Sequence, residues 1–108
     1  MNTENARVQM RKGVLELCVL RVVQKGEAYT SDLSQALKKA DILVVEGTLY
    51  PLLTRLKNAG WLEYRWEESK AGPPRKYYTL TSSGEELLAT LDKEWNQFVN
   101  AVNALSQS

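Results

Sequence analysis

Few residues in this chain could carry covalent chemistry. There is no histidine, and the single cysteine, Cys18, lies among apolar neighbours in VLELCVLRVV. No imidazole is present to activate a serine or a thiol, and no set of zinc ligands can be assembled. The carboxylates are scattered, and no two form an acid–base pair. We therefore expect no enzyme, no cofactor and no metal. What remains is hydrogen bonding and charge. Thr48, Tyr50, Pro51, Thr54, Arg55 and Lys57 fall in VVEGTLYPLLTRLKNAGW (44–61), and Lys70, Arg75 and Lys76 gather around a Gly-Pro-Pro tip. Hydroxyls and cations on one side of a helix suit a DNA major groove, and cations on a loop suit phosphates.

The elements that must position these groups are legible from periodicity. Leu49, Leu52, Leu53 and Leu56 recur at i, i+3, i+4 and i+7, an apolar stripe that anchors one side of a helix. Any globular helix shows such a stripe, so its polar side can equally be a plain solvated face. Gly60 ends this helix as a C-terminal cap. Its start is open: with Thr48 as N-cap, Pro51 sits at N3 and costs nothing, whereas a start nearer Val45 makes the proline remove a bond. Either start leaves amides near Gly47 and Thr48 for a phosphate.

A preceding helix fits Thr30 to Ala40, capped by Thr30 or Ser31, with Leu33, Ala36, Leu37 and Ala40 as its buried stripe. A short connection, 41–45, joins the pair, which reads as a helix-turn-helix. The first helix is expected from about Asn5 to Gln24, closed by Gly26. Its apolar positions cover more than one stripe, so it must be buried on two sides, one of them against another subunit. Val8 and Leu15 are its interface candidates.

Residues 61–66, WLEYRW, read as a strand, and Arg75 to Thr81 as its return, with Ser69 to Pro74 as the tip between them. A hairpin after a helix-turn-helix is a wing, although solvated hairpin loops also carry Lys and Gly. Thr81 to Glu85 caps a last helix running to Ser106, about 37 Å long at 1.5 Å per residue. Leu88, Leu91, Trp95, Phe98, Val102 and Leu105 recur along it at spacings of 3 and 4, a heptad seam. That rod is too long for the body to cover, and we read it as a dimerisation helix.

The totals agree with this picture. The chain has 108 residues, 44% of them apolar, and a net charge of +1. That is one domain's worth, ordinary for a globular protein, and no apolar run could span a bilayer. The start lacks a secretory signal, and one cysteine excludes an internal disulfide, so the cytoplasm is the expected compartment. Near-neutral charge argues weakly against nucleic acid and favours the alternative of a winged-helix protein-interaction module without DNA binding. The distribution argues the other way. Residues 1–80 hold 13 Lys/Arg against 9 Asp/Glu, and residues 81–108 hold 1 against 4.

Three runs, GVLELCVLRVV (13–23), GTLYPLLTRLKNAGWLE (47–63) and GPPRKYYTLTSSGEELL (72–88), closely resemble the PadR family of bacterial transcriptional regulators. The resemblance covers about residues 10–105. It implies a mainly α fold with a small β-hairpin: a winged helix-turn-helix body over 1–81 and a C-terminal dimerisation helix over 82–108. It implies a homodimeric repressor of a palindromic DNA operator, of the small subfamily with one C-terminal helix. It places Thr48, Leu49, Tyr50 and Pro51 at the start of the recognition helix, Arg55 further along it, and Arg75 and Lys76 in the wing. In drug-binding members of that subfamily a tryptophan faces its symmetry mate, and Trp95 falls at that position. With Phe98 and Val99 it would receive a small planar aromatic effector by stacking. Those members carry an acid where this chain has Val99, which leans toward neutral aromatics. Plain interface packing is the competing role for Trp95.

Overall fold

The computed structural model describes residues 3–42 and 44–107; Leu43, in the expected 41–45 connection, lies outside them. Among the described residues, five helices and one hairpin follow in the order α1 (Thr3–Lys12), α2 (Leu15–Gln24), α3 (Thr30–Lys39), α4 (Glu46–Asn58), β1 (Leu62–Ser69), β2 (Gly72–Leu80) and α5 (Ser82–Ala104). This is the mainly helical winged helix-turn-helix that the sequence predicts. The core is a leucine-rich cluster in which α2, α3, α4, β1, β2 and the start of α5 meet. Leu49, Leu52, Leu53 and Leu56 are all buried in it, so the α4 stripe is the face glued to the body.

The expected single helix over 5–24 is two helices. Gly13 lies at the break, and Val14 takes up the N-cap of α2 at φ −110° and ψ −3°. Glycine costs about 1 kcal/mol in a helix interior, and α1 buries no residue that could hold it in line with α2. α2 packs its broad apolar surface on one core: Leu17, Val19, Leu20 and Val23 are buried, and Leu15, Cys18 and Val22 pack partly against it.

α3 starts after Tyr29, not after Thr30 or Ser31. The Tyr29 amide donates to Asp32 Oδ2 at 3.2 Å, so the acid in the first turn serves as the cap. Ala40, expected in the α3 stripe, is exposed just past the helix end. α4 begins from Val45, so Thr48 is not its N-cap. The Thr48 amide donates to the Val45 carbonyl at 3.0 Å and is not available to a phosphate. Pro51 therefore sits inside the helix, the costlier of the two starts; four buried leucines in the same 13 residues offset the missing bond.

The end of α4 is a Schellman cap. Gly60 has φ +84°, its amide donates to Lys57 O at 3.0 Å, and the Trp61 amide donates to Leu56 O at 3.0 Å. The chain then enters β1 at a defined angle. β1 and β2 pair antiparallel from Leu62↔Leu80 to Glu67↔Arg75, with a shift before Ser69↔Gly72. The strands are longer than the sequence suggests, and the turn narrows to Lys70 and Ala71. Pro73 and Pro74 are tolerated because each strand of a two-stranded sheet has a free edge. Ala28 extends the sheet: it exchanges two backbone bonds with Tyr78, at 3.2 and 2.8 Å.

α5 opens on Thr81, whose Oγ1 accepts from the Gly84 amide at 3.0 Å and donates to Gly60 O at 2.6 Å. One hydroxyl thus caps α5 and ties it to the end of α4. Gly84 lies so close to that turn that a Cβ would overlap the Trp61 carbonyl oxygen. The heptad seam then divides. Leu88 is only 1% exposed, inside its own subunit, which corrects its expected place in the dimer interface. Leu91 and Trp95 are half-covered, and Phe98 and Leu105 are 63% and 80% exposed. No described helix is long and apolar enough to cross a membrane.

Candidate nucleic-acid interface

α4 presents two polar rows beside its buried leucines, and the fold sends them to different places. Tyr50 and Thr54, one turn apart, face the hairpin. Together with Thr30 and Ser31 of α3 and Trp66, Pro74, Arg75 and Lys76 of the strands, they border one groove of about 420 Å³. Tyr50 is 50% exposed there and Trp66 59%. The groove is ringed by hydroxyls, two cations and four aromatic residues, Tyr29, Tyr50, Trp66 and Tyr78. Glu46 is its acid, a group that can accept from a cytosine amine.

The cations are held by rings. Arg75 stacks 4.7 Å from the centre of the Tyr29 ring, and Lys76 Nζ lies 4.5 Å from Tyr64 and 5.2 Å from Trp66. Lys57 Nζ lies 5.7 Å from the centre of the same Tyr64 ring. Such contacts are worth about 0.5–1 kcal/mol each when exposed. They restrict long side chains that would otherwise lose entropy on meeting a ligand. The hairpin is fastened beneath them: Arg65 donates to both carboxylate oxygens of Glu27, at 2.6 and 2.8 Å, and also pairs with Glu67. The hydrogen bonds from Arg65 hold the Glu27 carboxyl below its usual range, and the same bonds raise the guanidinium. Burial, with the phenols of Tyr64 and Tyr50 adding to it, raises the Tyr78 phenol.

The predicted site residues are thus only partly brought together. Tyr50, Arg75 and Lys76 share the groove, whereas Lys57 does not line it and rests on the Tyr64 ring. Lys70 stands at the hairpin turn, beyond the groove. Arg75 and Lys76 lie in the returning strand, as expected, opposite Glu67 and Trp66. Pro51 is exposed on α4 without joining the groove, and Thr48 faces α1 across a second, more apolar hollow with Val8, Arg11, Lys12 and Leu15. Arg55 is turned the other way, its guanidinium paired with Glu16 of α2. Sequence reading missed Tyr29, Thr30, Ser31 and Trp66 as groove residues. The WLEYRW alternation marks Trp66 as an exposed aromatic, but only folding sets it against Tyr50.

A separate cleft lies between α1, α2 and the far half of α5. Met10, Val14, Trp95 and Phe98 line it along its length, with Val99 and Val102 at one end and Glu16 and Glu94 at the other. The residues expected to receive a ligand are therefore together, and two acids that sequence reading did not place there stand beside them.

The sequence pattern of the transcriptional regulator PadR-like family matches residues 19–90, about two thirds of the chain and the whole of the groove. The chain belongs to the PadR-like family. A PadR-like transcription factor from Bacteroides fragilis is 53% identical over 94% of this chain and 98% of its own, with a TM-score of 0.79. A PadR family regulator from Eggerthella lenta is 30% identical over 95% and 90%, with a TM-score of 0.88. PadR from Bacillus subtilis, solved in complex with operator DNA, is 27% identical over 72% of this chain and 46% of its own, at 0.67. Members of the PadR-like family are transcriptional regulators, not enzymes.

Proposed function

We propose that this PadR-like chain is a cytoplasmic, homodimeric repressor that binds a palindromic DNA operator. The observation that carries the reading is the groove in which Tyr50 and Thr54 of α4 face Trp66, Arg75 and Lys76 of the hairpin. α4 lies in a major groove, where Tyr50 and Thr54 reach base edges or phosphates. Arg75 and Lys76, with Lys70 at the turn and Lys57 on α4, neutralise the flanking backbone. Pro51, exposed on α4, borders the duplex beside them. The operator complex of Bacillus subtilis PadR supports extending DNA binding to this relative.

Two copies join through α1 and α5. Phe98, Val102 and Leu105 bring the exposed apolar surface, and Val8, Leu15, Leu91 and Trp95 extend it. Two-fold symmetry then sets the half-sites about one helical turn apart. A small planar aromatic effector enters the cleft beside Trp95, Phe98 and Val99 and releases the operator. It does so only if it binds one spacing of the two recognition helices better than the other. Tryptophan fluorescence titrated with planar aromatics tests that step, and no change in Trp95 emission with any of them removes it.

Operator binding measured across about 50–200 mM salt tests the whole. Affinity should fall steeply, and Arg75→Ala with Lys76→Ala should flatten the log–log slope by about 3.6, at 0.9 per phosphate contact and four such contacts per dimer. A slope that the double variant leaves unchanged would point to a winged-helix module that binds protein.

A further inference from the structure

Arg55 has the residue type and the position on α4 of a phosphate contact, yet its guanidinium is bonded to Glu16 of α2, 39 residues earlier. Glu16 is one of three tethers on α2. Five residues on, Arg21 donates to Asp92 Oδ1 of α5 at 2.8 Å, and the buried face of α2 packs on the leucine core. α2 is therefore bonded to the recognition helix at one end and to the dimerisation helix further along. Glu16 also borders the cleft that holds Leu91, Trp95 and Phe98. The acid that holds Arg55 is thus part of the cleft wall.

We infer that Arg55 is a positioning residue and not a DNA contact: with Glu16 it forms a strut that sets the angle of α4 against α2, and through α2 against α5. This rests on the DNA-binding reading above. Three observations support it. The Arg55 row of α4 faces away from the groove bordered by Tyr50, Arg75 and Lys76. Arg55 is the described cation of α4 that is ion-paired, whereas Lys57 rests on a ring. The leucines on α4 fix its depth in the body but slide easily, because apolar contact is non-directional; a charged hydrogen bond is directional and supplies the missing angle. Partly exposed pairs are weak, so the strut tunes affinity rather than deciding the fold.

The test is a comparison of salt slopes and a charge exchange, in the full chain, on a labelled duplex that the wild type selects from a random-sequence pool. Arg55→Ala and Glu16→Gln should each weaken binding up to about fivefold with the wild-type salt slope. Arg55→Glu should weaken it further, and Glu16→Arg combined with Arg55→Glu should recover most of that loss, because the exchanged pair rebuilds the strut. A slope lowered by about 1.8 in Arg55→Ala, one contact in each subunit of the dimer, or an exchange variant no better than Arg55→Glu alone, would overturn the inference and return Arg55 to the phosphates. Thermal melting of each variant establishes that the comparison is made on folded protein. The DNA reading fails separately: if Arg75→Ala with Lys76→Ala leaves the slope unchanged, it is that reading that falls, and the strut's role in DNA binding with it.

Discussion

The two halves of α5 carry the same apolar repeat and meet opposite surroundings. In the first half Gly84 lies against the Trp61 carbonyl and Leu88 is sealed in the core. In the second half Phe98, Val102 and Leu105 continue the spacing with their side chains in solvent. A repeat of 3 and 4 states that a helix has an apolar side; it does not state whose surface covers it. The covered half belongs to the stability of one subunit. The open half is the part we assign to the second subunit, and substitutions along one helix can separate the two roles.

The largest effect is expected at Leu88. Leu88→Ala leaves a cavity in a sealed site and should cost about 2–5 kcal/mol of folding stability, read by chemical denaturation. Phe98→Ala removes no core contact, so the folding of each subunit should change little. The two-fold interface loses about 1.5–3 kcal/mol per subunit, and the dimer dissociation constant in sedimentation should rise by about two orders of magnitude or more. If Phe98→Ala instead unfolds the subunit and leaves association intact, the division of α5 is drawn in the wrong place. Gly84→Ala sharpens the boundary from the other side. Its methyl group meets backbone, which cannot step aside as a side chain can, and about 1–3 kcal/mol of destabilisation should follow, with the association of the folded fraction unaltered.

The smallest effect concerns the hairpin. The Glu27 carboxyl is held below its usual range by Arg65. A depressed folded-state value contributes stability that is present above the unfolded carboxyl's pKa of about 4.3 and is lost as pH falls through the folded value. The melting temperature of the wild type should therefore fall between about pH 5 and pH 3 by slightly more than that of Glu27→Gln. The pair is solvent-exposed, so the difference should be small; a Glu27→Gln profile identical to wild type would show that the pair does not help fasten the wing.

How far the site could be read in advance follows the same logic. The α4 stripe, the Gly60 cap and the Thr81 cap were all legible, because each is set by residues within one or two turns of each other. Whether Thr48 or a residue nearer Val45 starts α4 stays open in the sequence for a related reason. A threonine is a good cap in isolation, but four leucines needing burial drew the helix start back to Val45. The break at Gly13 was missed because the apolar pattern continues across it, and only the absence of any buried residue in α1 leaves the glycine to decide.

The sequence by itself determined the order of the elements, the apolar side of each helix and the family, since these depend on short-range periodicity and on motifs carried in continuous runs. Only the tertiary structure decided which polar row of α4 faces the hairpin, that Arg55 meets Glu16, and where along α5 the subunit's own core ends. Those outcomes depend on contacts between residues tens of positions apart, fixed by how the leucine faces pack around α2, and no local spacing encodes them.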